Sequence, residues 1–482
     1  MARPPNCAAG RRTWRHLRLA SLLALGAAAP GRAQHASRVA TPVVPAARDR
    51  VAFPLRVARG GRYFEDQQGR PFLYHADTGW LLFARLTAAE AREYLAHRKR
   101  QGFTTVQLQL SFNPDSADRA GHRPFAGAGA GDADFTRPDS AYHAHVAEVL
   151  GVADSLGLLV VLSQPWLGCC REGYGGGADK PIRRNGPART RGYGEYLGRR
   201  FARFTNLFWI VGGDNDPGAE RAELDAFAEG LRAAAPAHQL LTYHAATTHS
   251  STDVFPDARW LGFSFVYTYW RGKPGTWVLP AQMPHVYEVA RREYDKAHRM
   301  PFVLGESQYE GSAGNDAGTP HHVRRQAYWA LLSGAAGHAY GSELWRFPPD
   351  WRRLLHNPGG EQMRHVAALF GRLPWWRLVP DRRHRVVVAG SGAYGRDDYV
   401  TAAVTDDRTL LVAYLAERRT IAVDLTTLAG PAAAASWFDP RTGETRPAGR
   451  YAVRGVQRLT PPSDGDWVLL VEAGRPAGGP AG

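Results

Sequence analysis

The chain has 482 residues, 44% hydrophobic and 22% charged, enough apolar side chain to bury a large core, so neither a disordered polymer nor a low-complexity repeat fits. Lys and Arg number 60 against 45 Asp and Glu, a formal charge of +15, yet only Lys99, Lys180, Lys273 and Lys296 are lysines. The arginines are scattered rather than clustered on one helix or interleaved with stacking aromatics, which argues against DNA or RNA as a partner.

Met1 to Ala33 reads as an export signal. Arg11, Arg12, Arg15 and Arg18 lead a short apolar run, Leu19 to Ala29, and Gly31-Arg32-Ala33 is a small-residue cleavage site. Losing its six arginines takes the formal charge from +15 to +9. The expected location is therefore secreted or periplasmic, with Sec and twin-arginine export both open. No later stretch approaches the ~20 uncharged apolar residues of a bilayer span, so no span is expected in the mature chain. Cys169 and Cys170 are adjacent and cannot close a loop that constrains the fold. With no Cys/His spacing of the zinc type, neither a metal nor another cofactor is expected.

After a polar, Pro-rich lead (34–57), short apolar runs alternate with amphipathic ones. Phe72-Leu73-Tyr74 precedes a helix that starts at the capping box Thr87-Ala88-Ala89-Glu90. Thr104 to Leu110 is strand-like, and the helix Ser140 to Leu156 follows. Leu158 to Leu162, almost purely apolar, fits a strand buried on both faces. Helix Tyr193 to Phe204, strand Leu207 to Val211 and helix Ala219 to Ala234 continue the rhythm. Leu240 to Tyr243, Leu261 to Val266, Phe302 to Leu304 and Gly337 to Tyr340 complete eight strands. Helices read from His285 to Ala297, His321 to Leu332 and Gln362 to Leu373, and only the connection between strands five and six lacks a clear one. This is the arithmetic of a (β/α)8 TIM barrel, placed at 58–379. A doubly wound sheet would want a Gly-rich turn after the first strand, and His75-Ala76-Asp77-Thr78-Gly79-Trp80 is not one.

Near Pro380 the period changes to short strands with turns between them: Val386 to Val388, Tyr399 to Val404, Thr409 to Leu415, Thr420 to Leu425, then the regions of Trp437, Tyr451 and Trp467 to Val471. They predict a small all-β antiparallel sandwich over 380–473, with a flexible Gly/Pro tail, 474–482.

Strand ends of a parallel barrel converge on one mouth, so polar residues just after each apolar run are the candidates for chemistry. Those positions hold His75, Asp77 and Trp80, then Gln107, Gln109 and Asn113, then Gln164 and Trp166. Asp214, His244, Tyr267, Tyr269, Trp270, Glu306, Tyr309, Glu310, Glu343 and Trp345 follow. The set is aromatic, amide and carboxylate, without phosphate-cradling loops. Asp214 and Glu306 stand out, because Phe208 to Val211 runs into Gly212-Gly213-Asp214 and Phe302 to Leu304 into Gly305-Glu306. Carboxylates at the ends of strands four and seven face each other across a barrel, as cleavage of a glycosidic bond requires: one protonates the leaving oxygen and one attacks the anomeric carbon or activates water. Asp77, Trp80, Gln109, Trp166, His244, Tyr267, Tyr309 and Trp345 are the candidate substrate contacts: Trp166 and Trp345, with Trp270, can form a platform for sugar rings, Asp77 can hold sugar hydroxyls, and His244, like His75, can orient a carboxylate or bond a hydroxyl. Capping a helix is the competing reading of Asp77, and a place in the core that of each tryptophan.

Leu73 to Trp80, Arg98 to Val106, Trp209 to Asn215, Tyr243-His244, Leu304 to Glu310 and Gly334 to Trp345 together resemble the apiosidase-like glycoside hydrolases. The resemblance spans about Val51 to Ala473, and Trp437 to Gly443 looks like the β-module named for collagen binding that often follows such barrels. It implies a retaining (β/α)8 enzyme with Asp214 as acid/base and Glu306 as nucleophile, and a plant cell-wall glycan as substrate, with apiose in pectic rhamnogalacturonan as the named case. His75-Ala76 and Val266 to Trp270 depart from the family pattern at the sugar subsite. The expectation is a secreted retaining glycoside hydrolase acting on an oligo- or polysaccharide. The alternative is a non-catalytic glycan-binding or adhesion protein on the same scaffold. Oligomeric state is left open.

Overall fold

The computed structural model describes residues 50–127, 132–168, 173–268, 283–311 and 318–474. The export signal, the Cys169-Cys170 pair, Tyr269, Trp270 and the tail after Gly474 lie outside the described residues. Eight parallel strands form one sheet: β1 (Tyr74–Thr78), β2 (Thr105–Gln109), β3 (Leu159–Ser163), β4 (Leu207–Val211), β5 (Leu241–Tyr243), β6 (Ser264–Tyr267), β7 (Phe302–Glu306) and β8 (Gly337–Tyr340). Their order is β5, β4, β3, β2, β1, β8, β7, β6, and the two ends meet in one parallel bridge between Leu241 and Leu261. The sheet is a nearly closed (β/α)8 barrel, thinnest at the connection without a clear helical pattern, where one short turn of helix, Ser251–Val254, stands in.

All eight strands are buried along their length because alternate side chains face the interior and the surrounding helices. In β4, Phe208 and Ile210 join the interior cluster, while Leu207, Trp209 and Val211 pack outward with Leu224 and Phe227. A small antiparallel sheet, Arg56–Val57, Phe64–Glu65 and Pro71–Phe72, plugs the end opposite the mouth. There Phe64 meets Phe208 and Phe263 at ring distances of 5.6 and 5.5 Å.

Helix α1 (Ala88–Arg100) starts at the expected capping box: Thr87 Oγ1 accepts from Glu90 N, and the Glu90 carboxylate accepts from Thr87 N. Two later helices matter below, α2 (Pro320–Leu332) and α3 (Pro358–Arg372). Among the described residues no helix is long and apolar enough to cross a membrane.

The C-terminal region is all antiparallel. A six-stranded sheet, which includes β9 (Leu410–Leu415), packs against a three-stranded sheet of Val387–Ala389, Ile421–Asp424 and Val456–Leu459. Strand β9 shows why its sequence is apolar at every position: Leu411, Ala413 and Leu415 face the small sheet, while Leu410, Val412 and Tyr414 face α2 and α3. Tyr414 stacks on Tyr328 of α2 at 4.9 Å and 8°, and Arg324 of α2 forms a buried two-pronged pair with Asp466. The sandwich therefore shares a core with the barrel's helices.

Candidate active site

The floor of the mouth is a chain of amide contacts across the barrel. Tyr74 Oη donates to Gln107 Oε1 (2.8 Å), and Gln107 Nε2 donates to the carbonyl of Gly305 (2.7 Å). Gln109, two residues on and therefore one layer higher on the same face, is also buried.

Glu306 ends β7. The pairing of β7 with β6 slips between Leu304 and Glu306, so the strict alternation is broken at that residue. Leu304 faces the helices, and the irregularity turns Glu306 toward the mouth instead of along its neighbours' phase. Its Oε2 lies 3.0 Å from His244 Nε2. The His244 ring is held by Phe265 at 4.5 Å, Tyr267 at 4.9 Å edge-on and Trp80 at 6.2 Å near parallel. Trp80 Nε1 in turn donates to Tyr309 Oη (2.6 Å). The loops after β6 and β7 are stitched by Ser307 Oγ donating to the Thr268 carbonyl (2.7 Å).

Asp214 is delivered by the turn after β4. Gly212 and Gly213 have φ of 69° and 117°, conformations that side chains disfavour. A Cβ on Gly213 would also stand 3.0 Å from His244 Nδ1. The carbonyl of Gly213 accepts from Leu167 N (2.7 Å) and Gly168 N (3.2 Å), which ties this turn to the loop after β3. The half-buried Asp214 thus follows directly on a residue packed against the histidine that contacts Glu306.

Six of the other expected residues lie around the same opening: Trp80, His244, Tyr267 and Tyr309 in the contacts above, Trp166 with its ring 4.2 Å from Phe112, and Trp345, half-buried against the interior cluster. Gln109 forms part of the floor. Asp77 does not join them, which corrects the expectation that it holds sugar. The first strand runs to Thr78 rather than stopping at Tyr74, so Asp77 sits inside β1 with its side chain on the outer face. It is fully buried, and its Oδ2 accepts from Tyr94 Oη and Arg98 Nε of α1, both at 2.6 Å. Burial pushes this carboxyl up, against the pull of Arg98.

His75 faces the same way. It stacks on Phe103 at 4.6 Å and contacts His338 at 2.9 Å. Glu310 is likewise structural: its carboxylate accepts from Tyr340 Oη (2.6 Å) and from the amides of Gly359 and Gly360, capping α3 from outside the helix. Asn113 holds a turn by accepting from Asp115 N and Ser116 Oγ. Phe112 and Phe265 went unread as site residues. Phe265 lies within a predicted strand, where only its phase against β7, on which it pairs with Val303, shows which way it points.

Carboxylates beyond β4 and β7 of an eight-stranded barrel, with aromatics around the opening, define the architecture of glycoside hydrolase barrels. A family model described as "Apiosidase-like, catalytic domain" matches residues 58–377, and one described as "Putative collagen-binding domain of a collagenase" matches residues 379–472. The chain belongs to the apiosidase-like family of glycoside hydrolases. Among solved structures it is similar to one described as a glycoside hydrolase, at 24% identity, TM-score 0.77, covering 88% of this chain and 98% of that one. It is also similar to a glycoside hydrolase family 5 protein from Bacteroides vulgatus, at 23% identity, TM-score 0.77, covering 87% and 94%. At these identities the likeness is one of fold. No curated protein matches the chain in sequence.

Proposed function

We propose that the protein is an exported, retaining glycosidase of plant cell-wall glycans, with Glu306 as nucleophile and Asp214 as acid/base. The observation that carries the reading is the Glu306–His244 contact at 3.0 Å, in a mouth where the residue before Asp214 packs on the same histidine. Family membership supports glycoside hydrolysis, and the family's name supports a pectic glycan that carries apiose. The Arg-led apolar N-terminus supports export.

In this mechanism Glu306, its Oε2 3.0 Å from His244 Nε2, attacks the anomeric carbon through a carboxylate oxygen, with the His244 ring packed beside it. Asp214 gives its proton to the leaving oxygen as that C–O bond breaks, leaving a glycosyl ester on Glu306. Asp214, now ionised, takes a proton from the water that attacks the ester, and the sugar departs with its original anomeric configuration. Retention requires the two carboxyl groups to be ~5–5.5 Å apart in the working complex; inversion needs a wider gap that admits water.

The test is digestion of a panel of pectic and hemicellulosic oligosaccharides, with proton NMR of the first anomer released. Wild type should release the retained anomer, and Glu306→Gln should lose at least about 10⁴-fold in kcat with an unchanged melting curve. Binding without release of reducing ends would mark a glycan-binding protein instead, and a fully active Glu306→Gln would reject the assignment.

A further inference from the structure

Away from the mouth, on the outside of the barrel, three ligand-type side chains converge where α1 meets the chain entering α3. They are His97 in the last turn of α1, His356 in the loop before α3 and Glu361 in the first turn of α3. One ligand atom from each lies within 4.8 Å of the others. His356 Nδ1 is 3.3 Å from Glu361 Oε1, and His97 Nε2 is 3.9 Å from the same oxygen. The longer distance is no hydrogen bond. His97 Nε2 is nevertheless shut off from solvent and has no hydrogen-bond partner among the described residues.

These separations suit a shared cation better than direct contact. Two ligand atoms each ~2.1 Å from a tetrahedral zinc ion lie ~3.4 Å apart, between the two distances observed. The imidazole rings stand edge to face, 88° apart, so they approach the carboxylate from different directions. Glu361 Oε1 is held in place from behind: it accepts from Gln101 Nε2 (3.0 Å), whose Oε1 accepts from Arg98 Nη1 (2.6 Å). Orienting bonds of this kind are what a metal-binding carboxylate needs. The His356 side chain is 66% exposed, which leaves room for water as a fourth ligand.

We propose that His97, His356 and Glu361 bind one zinc ion, completed by water, that clips α1 to α3. Two imidazoles and one carboxylate are a donor set that suits zinc. Helix α1 lies in the connection after β1 and α3 in the chain after β8, so the clip joins these two helices across the β1–β8 seam. Arg364, 3.7 Å from the other oxygen of Glu361, opposes the ion's charge and limits its affinity. An ion held by elements so distant in the chain binds the folded state alone and therefore stabilises it.

The experiment uses full-length protein without a polyhistidine tag, stripped with a chelator and titrated with zinc chloride by calorimetry, with melting curves at each stage. Wild type should take up one equivalent and melt higher when loaded. His356→Ala, at an exposed position that the fold tolerates, and Glu361→Gln should each weaken uptake by about tenfold or more and remove the rise in Tm. His298→Ala, an exposed histidine elsewhere, should change neither. Absence of saturable uptake in wild type, or uptake unaltered in both His356→Ala and Glu361→Gln, would overturn the proposal.

Discussion

Asp214 and Asp77 have the same side chain near the ends of buried strands, yet they differ because of what precedes them. Asp214 follows two glycines whose positive φ turns the chain away from the strand conformation. Asp77 is still inside β1, where alternation sends it outward to Arg98. A sign of this was present in Tyr94 and Arg98, four residues apart and so on one face of α1, but which carboxylate they would meet depends on how the helix docks. For Asp214→Ala we expect a loss of about 10²–10⁴-fold on substrates whose leaving group needs a proton. Aryl glycosides with acidic phenols should be much less affected, and added azide should restore turnover as glycosyl azide of retained configuration. Equal losses on both substrates without azide rescue would make Asp214 a structural residue.

At the scale of elements, apolar runs and caps were readable because burial on both faces and the capping box are local patterns. Strand β4 matches its expected limits, and α1 begins at the expected cap. The slip in β7 that aims Glu306 was not readable, since a bulge exists only relative to the strand it pairs with. Gly337 is a similar case. Its sequence context is an ordinary strand, but a Cβ there would lie 1.9 Å from the carbonyl oxygen of Tyr74 on β1. Because that neighbour is backbone and cannot rotate away, Gly337→Ala should destabilise the protein by about 3 kcal/mol, seen as a lower urea midpoint at unchanged slope.

Across the whole molecule, several histidines are buried where a charge is costly. Burial holds His143 down at about 4 and His338 at about 3, both from an ordinary 6.5. Between those limits the unfolded chain binds more protons than the folded one, so stability rises with pH from about 4 to about 6.5 and levels off above. For His143 alone the loss at pH 4 is on the order of 3 kcal/mol. Melting temperature against pH should therefore fall on the acid side, and replacing His143 with Gln should flatten part of that slope; a melting temperature independent of pH over this range would contradict it. The C-terminal sandwich belongs to the same scale. Its strands looked like a separate module, yet Tyr414 and Asp466 reach α2 of the barrel, because the six-stranded sheet is apolar on both faces and needs a second cover.

The sequence by itself determined the order of strands and helices, the change to antiparallel strands near Pro380, and the acids Asp214 just beyond β4 and Glu306 at the end of β7, because hydrophobic period, caps and Gly-Gly turns act over a few neighbouring residues. Only the tertiary structure decided that Glu306 meets His244, that Asp77 belongs to Arg98, and that His97 meets His356 and Glu361. Those contacts join residues far apart in the chain, and their geometry depends on strand phase and helix docking, which no local pattern encodes.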